Sequence, residues 1–155
     1  MANYDKAMED RVWKRVQGSR AEPAASGQRD LNLQELIMNE WIAAATYLQL
    51  SRQMGPKAAA VLQKLFREEQ THAACLKGMY TLINGTRPVI RTPQPQKEPV
   101  EITLRKAYAG ELRSIEAYES RSDHPEYGNV FASMAKQERE HSRAVLELLG
   151  GLEKK

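Results

Sequence analysis

The tetrapeptide Glu-x-x-His occurs twice in this chain, as Glu69-Gln70-Thr71-His72 and as Glu138-Arg139-Glu140-His141. Both copies lie inside long stretches of helical periodicity, where residues three apart share a face. Each copy therefore presents one carboxylate and one imidazole on the same side of a helix. The chain has three histidines, and two of them occupy this arrangement. Glutamate fills 16 of the 155 positions, so two such matches among three histidines arise by accident about 3% of the time. Any fold available to this chain must dispose of two helix faces that each carry an acid and an imidazole.

The rest of the pattern is helical as well. Ala, Leu, Glu, Gln, Lys and Arg dominate and glycine is scarce, a helix-forming mixture. The spacing Asn32-Leu33-Gln34-Glu35 marks a capping box, with Glu35 as its acid, opening a first long helix that runs to Met54. Gly55-Pro56 ends that helix and starts the next, from about Lys57 to Ile83, in a tight antiparallel connection. Its apolar stripe includes Val61, Leu62, Leu65, Phe66, Leu76 and Met79. A third helix is expected over Glu101 to Ser120, with Leu104, Ala107, Leu112, Ile115 and Tyr118 on its apolar side. Asp123-His124-Pro125-Glu126 then reads as a solvated break with a fresh N-cap, and a fourth helix continues to Gly150. Ahead of all four, Tyr4 to Gln17 has the periodicity of a short helix, and Gly18 to Arg29 reads as a linker. The expected division is an N-terminal extension over 1–30 and a four-helix domain over 31–150.

Residues 86–100 contain Pro88, Pro93, Pro95 and Pro99 and cannot be helical. Fifteen residues in polyproline form reach roughly 45 Å, whereas a helix of 24 residues is about 36 Å long. The segment is long enough to run the length of the bundle, so the expectation is an all-α bundle with a long crossover between its second and third helices.

The halves also correspond. Glu69 and Glu138 are 69 residues apart, as are His72 and His141, while Glu40 and Glu111 are 71 apart. Glu40 is followed seven residues later by Tyr47, and Glu111 by Tyr118, so each pair shares a face after two turns. The chain reads as a twofold repeat of helix pairs. Glu40 interrupts the stripe between Ile37 and Ala44, and Glu111 the stripe between Ala107 and Ile115. A charge on a buried stripe is costly unless something pairs with it. Two divalent cations would cancel four inward carboxylates, with His72 and His141 completing the ligand set. One Glu from each of two helices plus Glu-x-x-His from the other two is the inventory of a di-iron or di-manganese carboxylate site in a helix bundle. Glu68, Glu116, Glu119 and Glu140 lie off the inward stripes and are read as solvated.

Residues 31–83 and 101–149 resemble the ferritin-like di-iron carboxylate superfamily, and within it the rubrerythrin branch. The resemblance rests on Glu40-Trp41-Ile42-Ala43 with Tyr47, Phe66-x-x-Glu69-x-x-His72, Glu111 with Tyr118, and Glu138-x-x-His141. It implies that Glu69 and Glu138 bridge two irons and that Glu40 and Glu111 are mainly terminal ligands. His72 and His141 would each serve one metal, and Tyr47 and Tyr118 would hydrogen-bond ligand carboxylates. It also implies an oxidase or peroxidase acting on dioxygen or hydrogen peroxide in oxidative-stress defence. Two departures stand out. A rubredoxin-like centre needs four cysteines and this chain has only Cys75, so electrons would come from a separate donor protein. Ser114 stands where the branch carries a further glutamate that exchanges with a histidine, which bears on the peroxidase mechanism of that branch.

Composition narrows the remaining classes. The formal charge is +3, with acidic and basic residues interleaved, a poor match to a nucleic-acid partner. No apolar run reaches spanning length and Met1 to Asp10 lacks a signal-peptide core, so no membrane partner and a cytoplasmic location are expected. Cys75 reads as a buried small apolar side chain. The Pro-rich segment and the extension favour a homodimer over a hollow shell. The rival readings are ferritin-type ferroxidase and iron sequestration, or a bundle whose metal plays no catalytic part. Oxygen and imidazole ligands also admit manganese or zinc in place of iron.

Overall fold

A computed structural model describes residues 30–94 and 96–152. It contains four helices and, among the described residues, no strand: α1 (Leu33–Gln53), α2 (Pro56–Asn84), α3 (Val100–Glu119) and α4 (Gly128–Leu152). The helix expected over 4–17 and the linker after it lie outside the described residues.

The helices pack chiefly as two pairs, α1 on α2 and α3 on α4, with lighter contact of α1 with α3 and of α2 with α4. The turn between α1 and α2 is as short as Gly55-Pro56 demands, with Pro56 opening α2 where its missing N–H costs nothing. Gly85 closes α2 at φ 72° and donates its N–H to Thr81 O, the left-handed cap that glycine adopts without strain.

The α1 start differs from a capping box. Asn32 takes a left-handed conformation, and its side chain makes no backbone cap bond; its amide donates instead to the Glu35 carboxylate. The fresh start before α4 is made by His124, which is only partly exposed. Its Nδ1 accepts from the N–H groups of Glu126 and Tyr127, each at 3.1 Å, the role a short polar side chain usually fills.

Two apolar layers form the core. One gathers Leu33, Leu36, Ile37, Leu76, Met79, Tyr118, Phe131 and Met134. The other gathers Tyr47, Leu50, Leu62, Leu65, Leu104 and Val145. Helices α1 and α4 pass from the Phe131 layer to the Leu104 layer as the chain advances, and α2 and α3 pass the other way. Between the layers every helix contributes buried charge or imidazole: Glu40, Glu69 with His72, Glu111, and Glu138 with His141. Three expected apolar positions face outward instead. Val61 and Leu112 are exposed, as is Cys75, because each lies just off the arc that faces the neighbouring helix.

Gly128 is fixed by packing: a Cβ there would lie 2.3 Å from the Ser122 carbonyl oxygen. Gly78, inside α2, would meet nothing within 4 Å. Gly128→Ala is expected to destabilise the fold by about 1–3 kcal/mol. Gly78→Ala should raise stability by about 0.5–1 kcal/mol. Denaturant melts of the two variants check the contrast.

Candidate metal centre

Helical spacing brings six side chains to one level of the bundle. Glu40, Glu69, His72, Glu111, Glu138 and His141 are each at most 3% exposed. They fall into two overlapping groups, Glu40, Glu69, Glu138 and His72, and Glu111, Glu69, Glu138 and His141; within each group the facing donor atoms lie within 4.8 Å of one another. These buried groups can hold metal ions.

The atoms divide in an orderly way. His72 Nδ1 lies 3.1 Å from Glu138 Oε1, 3.3 Å from Glu69 Oε2 and 3.6 Å from Glu40 Oε2. His141 Nδ1 lies 3.0 Å from Glu138 Oε2, 3.1 Å from Glu69 Oε1 and 3.8 Å from Glu111 Oε2. Glu69 and Glu138 thus each turn one oxygen to either pocket, and Glu40 and Glu111 each face one pocket only. The two imidazoles lie 5.7 Å apart, centroid to centroid.

Hydrogen bonds between the halves hold this arrangement. Tyr47 on α1 donates to Glu111 Oε1 on α3, and Tyr118 on α3 donates to Glu40 Oε1 on α1. The outer imidazole nitrogens are also engaged: His72 Nε2–H donates to Gln137 Oε1, and His141 Nε2–H donates to Glu68 Oε2 at 2.6 Å. The tyrosines therefore bond to ligand-type carboxylates, each to the acid of the opposite half rather than to the one seven residues before it. Glu68, which the sequence places off the inward stripe, instead turns its carboxylate to His141 and is about one quarter exposed. The signal for it lies in the repeat: Glu68 precedes the first Glu-x-x-His and Gln137 precedes the second. Glu119 keeps a surface role, paired with Arg139.

The electrostatics reflect crowding. Burial pushes the carboxyls of Glu40 and Glu111 well above the usual range, and neighbouring Glu69 and Glu138 push them further. Burial acts the same way on Glu69, but the protons on Glu40, His141 and His72 outweigh it and bring Glu69 down to about 2. Glu138 is held low against its burial by Glu111, His141 and His72. Burial alone would lower the imidazoles. Glu138 and Glu69 nevertheless lift His141 to about 10, and Glu138, Glu40 and Glu69 raise His72 well above its ordinary value. Burial, and after it the neighbouring glutamates, push the Tyr47 and Tyr118 phenols well above their ordinary range and keep them protonated, as their donor roles require.

Without cations, the cluster reaches neutrality by keeping protons on two carboxyls and two imidazoles. Three oxygens, Glu40 Oε2, Glu69 Oε2 and Glu111 Oε2, are buried with no hydrogen-bond donor. Such orphaned acceptors are expensive, and they are satisfied only by a proton shared between acids or by a cation. They face the two pockets, so the donor set fits two divalent ions.

A cavity of about 560 Å³ opens between α1 and α3 and reaches Glu69, Glu111, Tyr47 and Tyr118. Its outer wall includes Pro93, Gln94, Gln96 and Glu98 from the segment between α2 and α3, and Ser114 lines it as well. Among the described residues no helix is long and apolar enough to cross a membrane. No protein-family model matches this chain, and neither the curated proteins nor the solved structures compared with it give a match.

Two outcomes follow. Filling both pockets with divalent ions at neutral pH should release about four protons, from Glu40, Glu111, His72 and His141. Calorimetric titration in buffers of different ionisation heat measures that number, and affinity should fall as pH falls. In chelator-stripped protein, His141 contributes stability fully below its ordinary pKa near 6.5. That contribution should drain away as pH rises through about 10. Thermal melts should show the loss in stripped protein and not in the metal-loaded form.

Proposed function

We propose that the chain is a ferritin-like di-iron carboxylate protein of rubrerythrin type, an oxidoreductase acting on dioxygen or hydrogen peroxide. The observation that carries the reading is the division of oxygens. Glu69 and Glu138 each serve both pockets, Glu40 and Glu111 each serve one, and one imidazole completes each. Glu69 and Glu138 would bridge, Glu40 and Glu111 would be terminal, and His72 and His141 would each bind through Nδ1.

The topology supports the same reading. Helices α2 and α3 traverse the core layers in the same order, which supports a return of the chain along the bundle between them, as in a ferritin-like crossover. The Gln34 amide donates to the Val89 carbonyl near the start of α1, and Glu98 pairs with Lys106 at the start of α3, so the segment is anchored towards both ends.

Iron held there by Glu40, Glu69, His72, Glu111, Glu138 and His141 would supply the two electrons that, with two protons, convert hydrogen peroxide to two water molecules. The chain's own groups do the rest. Tyr47 and Tyr118 hold Glu111 and Glu40 in place, and Glu68 and Gln137 keep the imidazoles turned with Nδ1 inward. The two apolar layers exclude water above and below, and the cavity between α1 and α3 admits a small oxidant. Ser114 offers no carboxylate for the exchange seen in the branch, so the reading rests on the six inward residues. With Cys75 as the sole cysteine, electrons would arrive from a separate donor protein, and a homodimer is the assembly this reading favours.

Anaerobic loading with two equivalents of Fe(II), followed by peroxide or dioxygen, should give stoichiometric oxidation, tracked by absorbance and Mössbauer spectroscopy. Glu69→Ala and Glu138→Ala should each lower the rate at least about 100-fold, since each removes an oxygen from both pockets. Unchanged rates in both variants would sink the reading. A solution mass of a large hollow assembly would instead support iron sequestration.

A further inference from the structure

The repeat that builds the two pockets is broken at one equivalent position. The residue before each Glu-x-x-His reaches across the bundle to the outer nitrogen of the opposite imidazole, but it is Glu68 in one half and Gln137 in the other. The carboxylate of Glu68 accepts from His141 Nε2–H at 2.6 Å. On the opposite side, the amide oxygen of Gln137 accepts from His72 Nε2–H. Both contacts fix the same ring orientation, so the difference is one of charge rather than of shape. A carboxylate on the outer nitrogen makes the inner nitrogen a stronger donor, and a neutral amide does so far less. Apart from this, the pockets match closely: two shared acids, one private acid held by a tyrosine, and one Nδ1. Lys64 approaches the other Glu68 oxygen only to 3.8 Å and is largely exposed, so its screening is weak.

We propose that the two pockets are inequivalent cation sites, and that Glu68, acting through His141 as a positioning residue, makes the Glu111–His141 pocket the tighter and first filled. The inference rests on the two-cation reading above and goes beyond it by ranking the sites. A merely structural Glu68, an ion pair steadying α2 against α4, would affect folding alone and leave the order of filling untouched.

The test uses the full chain, stripped with chelator and titrated with Co(II), whose visible absorption reports coordination. The wild-type protein should bind in two steps, the first at least about 10-fold tighter. Crystals grown with one equivalent of cobalt should show the anomalous signal mainly beside His141. Glu68→Gln, which keeps the size and the hydrogen bond, should weaken the first step by about 10–100-fold and merge the two, with the stripped protein's melting temperature little changed. The exchange Glu68→Gln with Gln137→Glu should move the first cobalt beside His72. Equal sharing of one equivalent in the wild-type protein, or unchanged steps in Glu68→Gln, would overturn the ranking while leaving the two-cation reading intact. No cobalt binding by the wild-type protein would remove both.

Discussion

Mutual repulsion among four buried carboxylates is the constraint to which the rest of this bundle answers. Bringing Glu40, Glu69, Glu111 and Glu138 together in a dry interior costs several kcal/mol per uncompensated charge. Protons, two on acids and two on imidazoles, neutralise them, and the same groups could hold cations instead. Without cations, Glu40 Oε2, Glu69 Oε2 and Glu111 Oε2 depend on protons shared between acids, and a divalent ion would compete with those protons for the same oxygens.

The contacts that steady the acids run between the two halves of the repeat, not within them. Tyr118 holds Glu40, Tyr47 holds Glu111, Gln137 orients His72 and Glu68 orients His141. Neither helix pair completes even one pocket alone, because Glu69 and Glu138 are needed in both. Assembly of the site therefore coincides with docking of α1–α2 onto α3–α4. The large apolar layers on either side supply that docking free energy, since the polar layer supplies little until it is neutralised.

Much of this was legible in the residues themselves. Helical spacing alone puts Glu69 with His72 and Glu138 with His141 on single faces, and the intrusion of Glu40 and Glu111 into apolar stripes marks them as inward. Spacing along one helix says nothing of what lies across the bundle, so the crossed tyrosine pairings and the role of Glu68 were not legible in it. Glu68 lies at the edge of its helix face, where periodicity reads solvent and a long side chain can still reach inward. Cys75, Val61 and Leu112 fail in the opposite sense: they are apolar, yet they sit just outside the buried arc, whose width depends on how closely two helices approach. The left-handed Asn32 and the capping by His124 depend on local backbone geometry that residue types alone leave open.

The uneven helix approach leaves two lightly touching seams, and the site opens through one of them. Helices α1 and α2 pack closely, as do α3 and α4, but α1 and α3 touch lightly, and the cavity lies between them. Small side chains leave open space along that seam: Ala43, Ala107, Gly110 and Ser114 all line it. Ser114 falls one turn after Glu111 on the same face, where a longer acid would fill space beside the pocket and add a fifth negative charge. A hydroxymethyl group leaves both the passage and the charge balance intact. The segment bearing Pro93, Gln94, Gln96 and Glu98 then forms the outer wall of this opening.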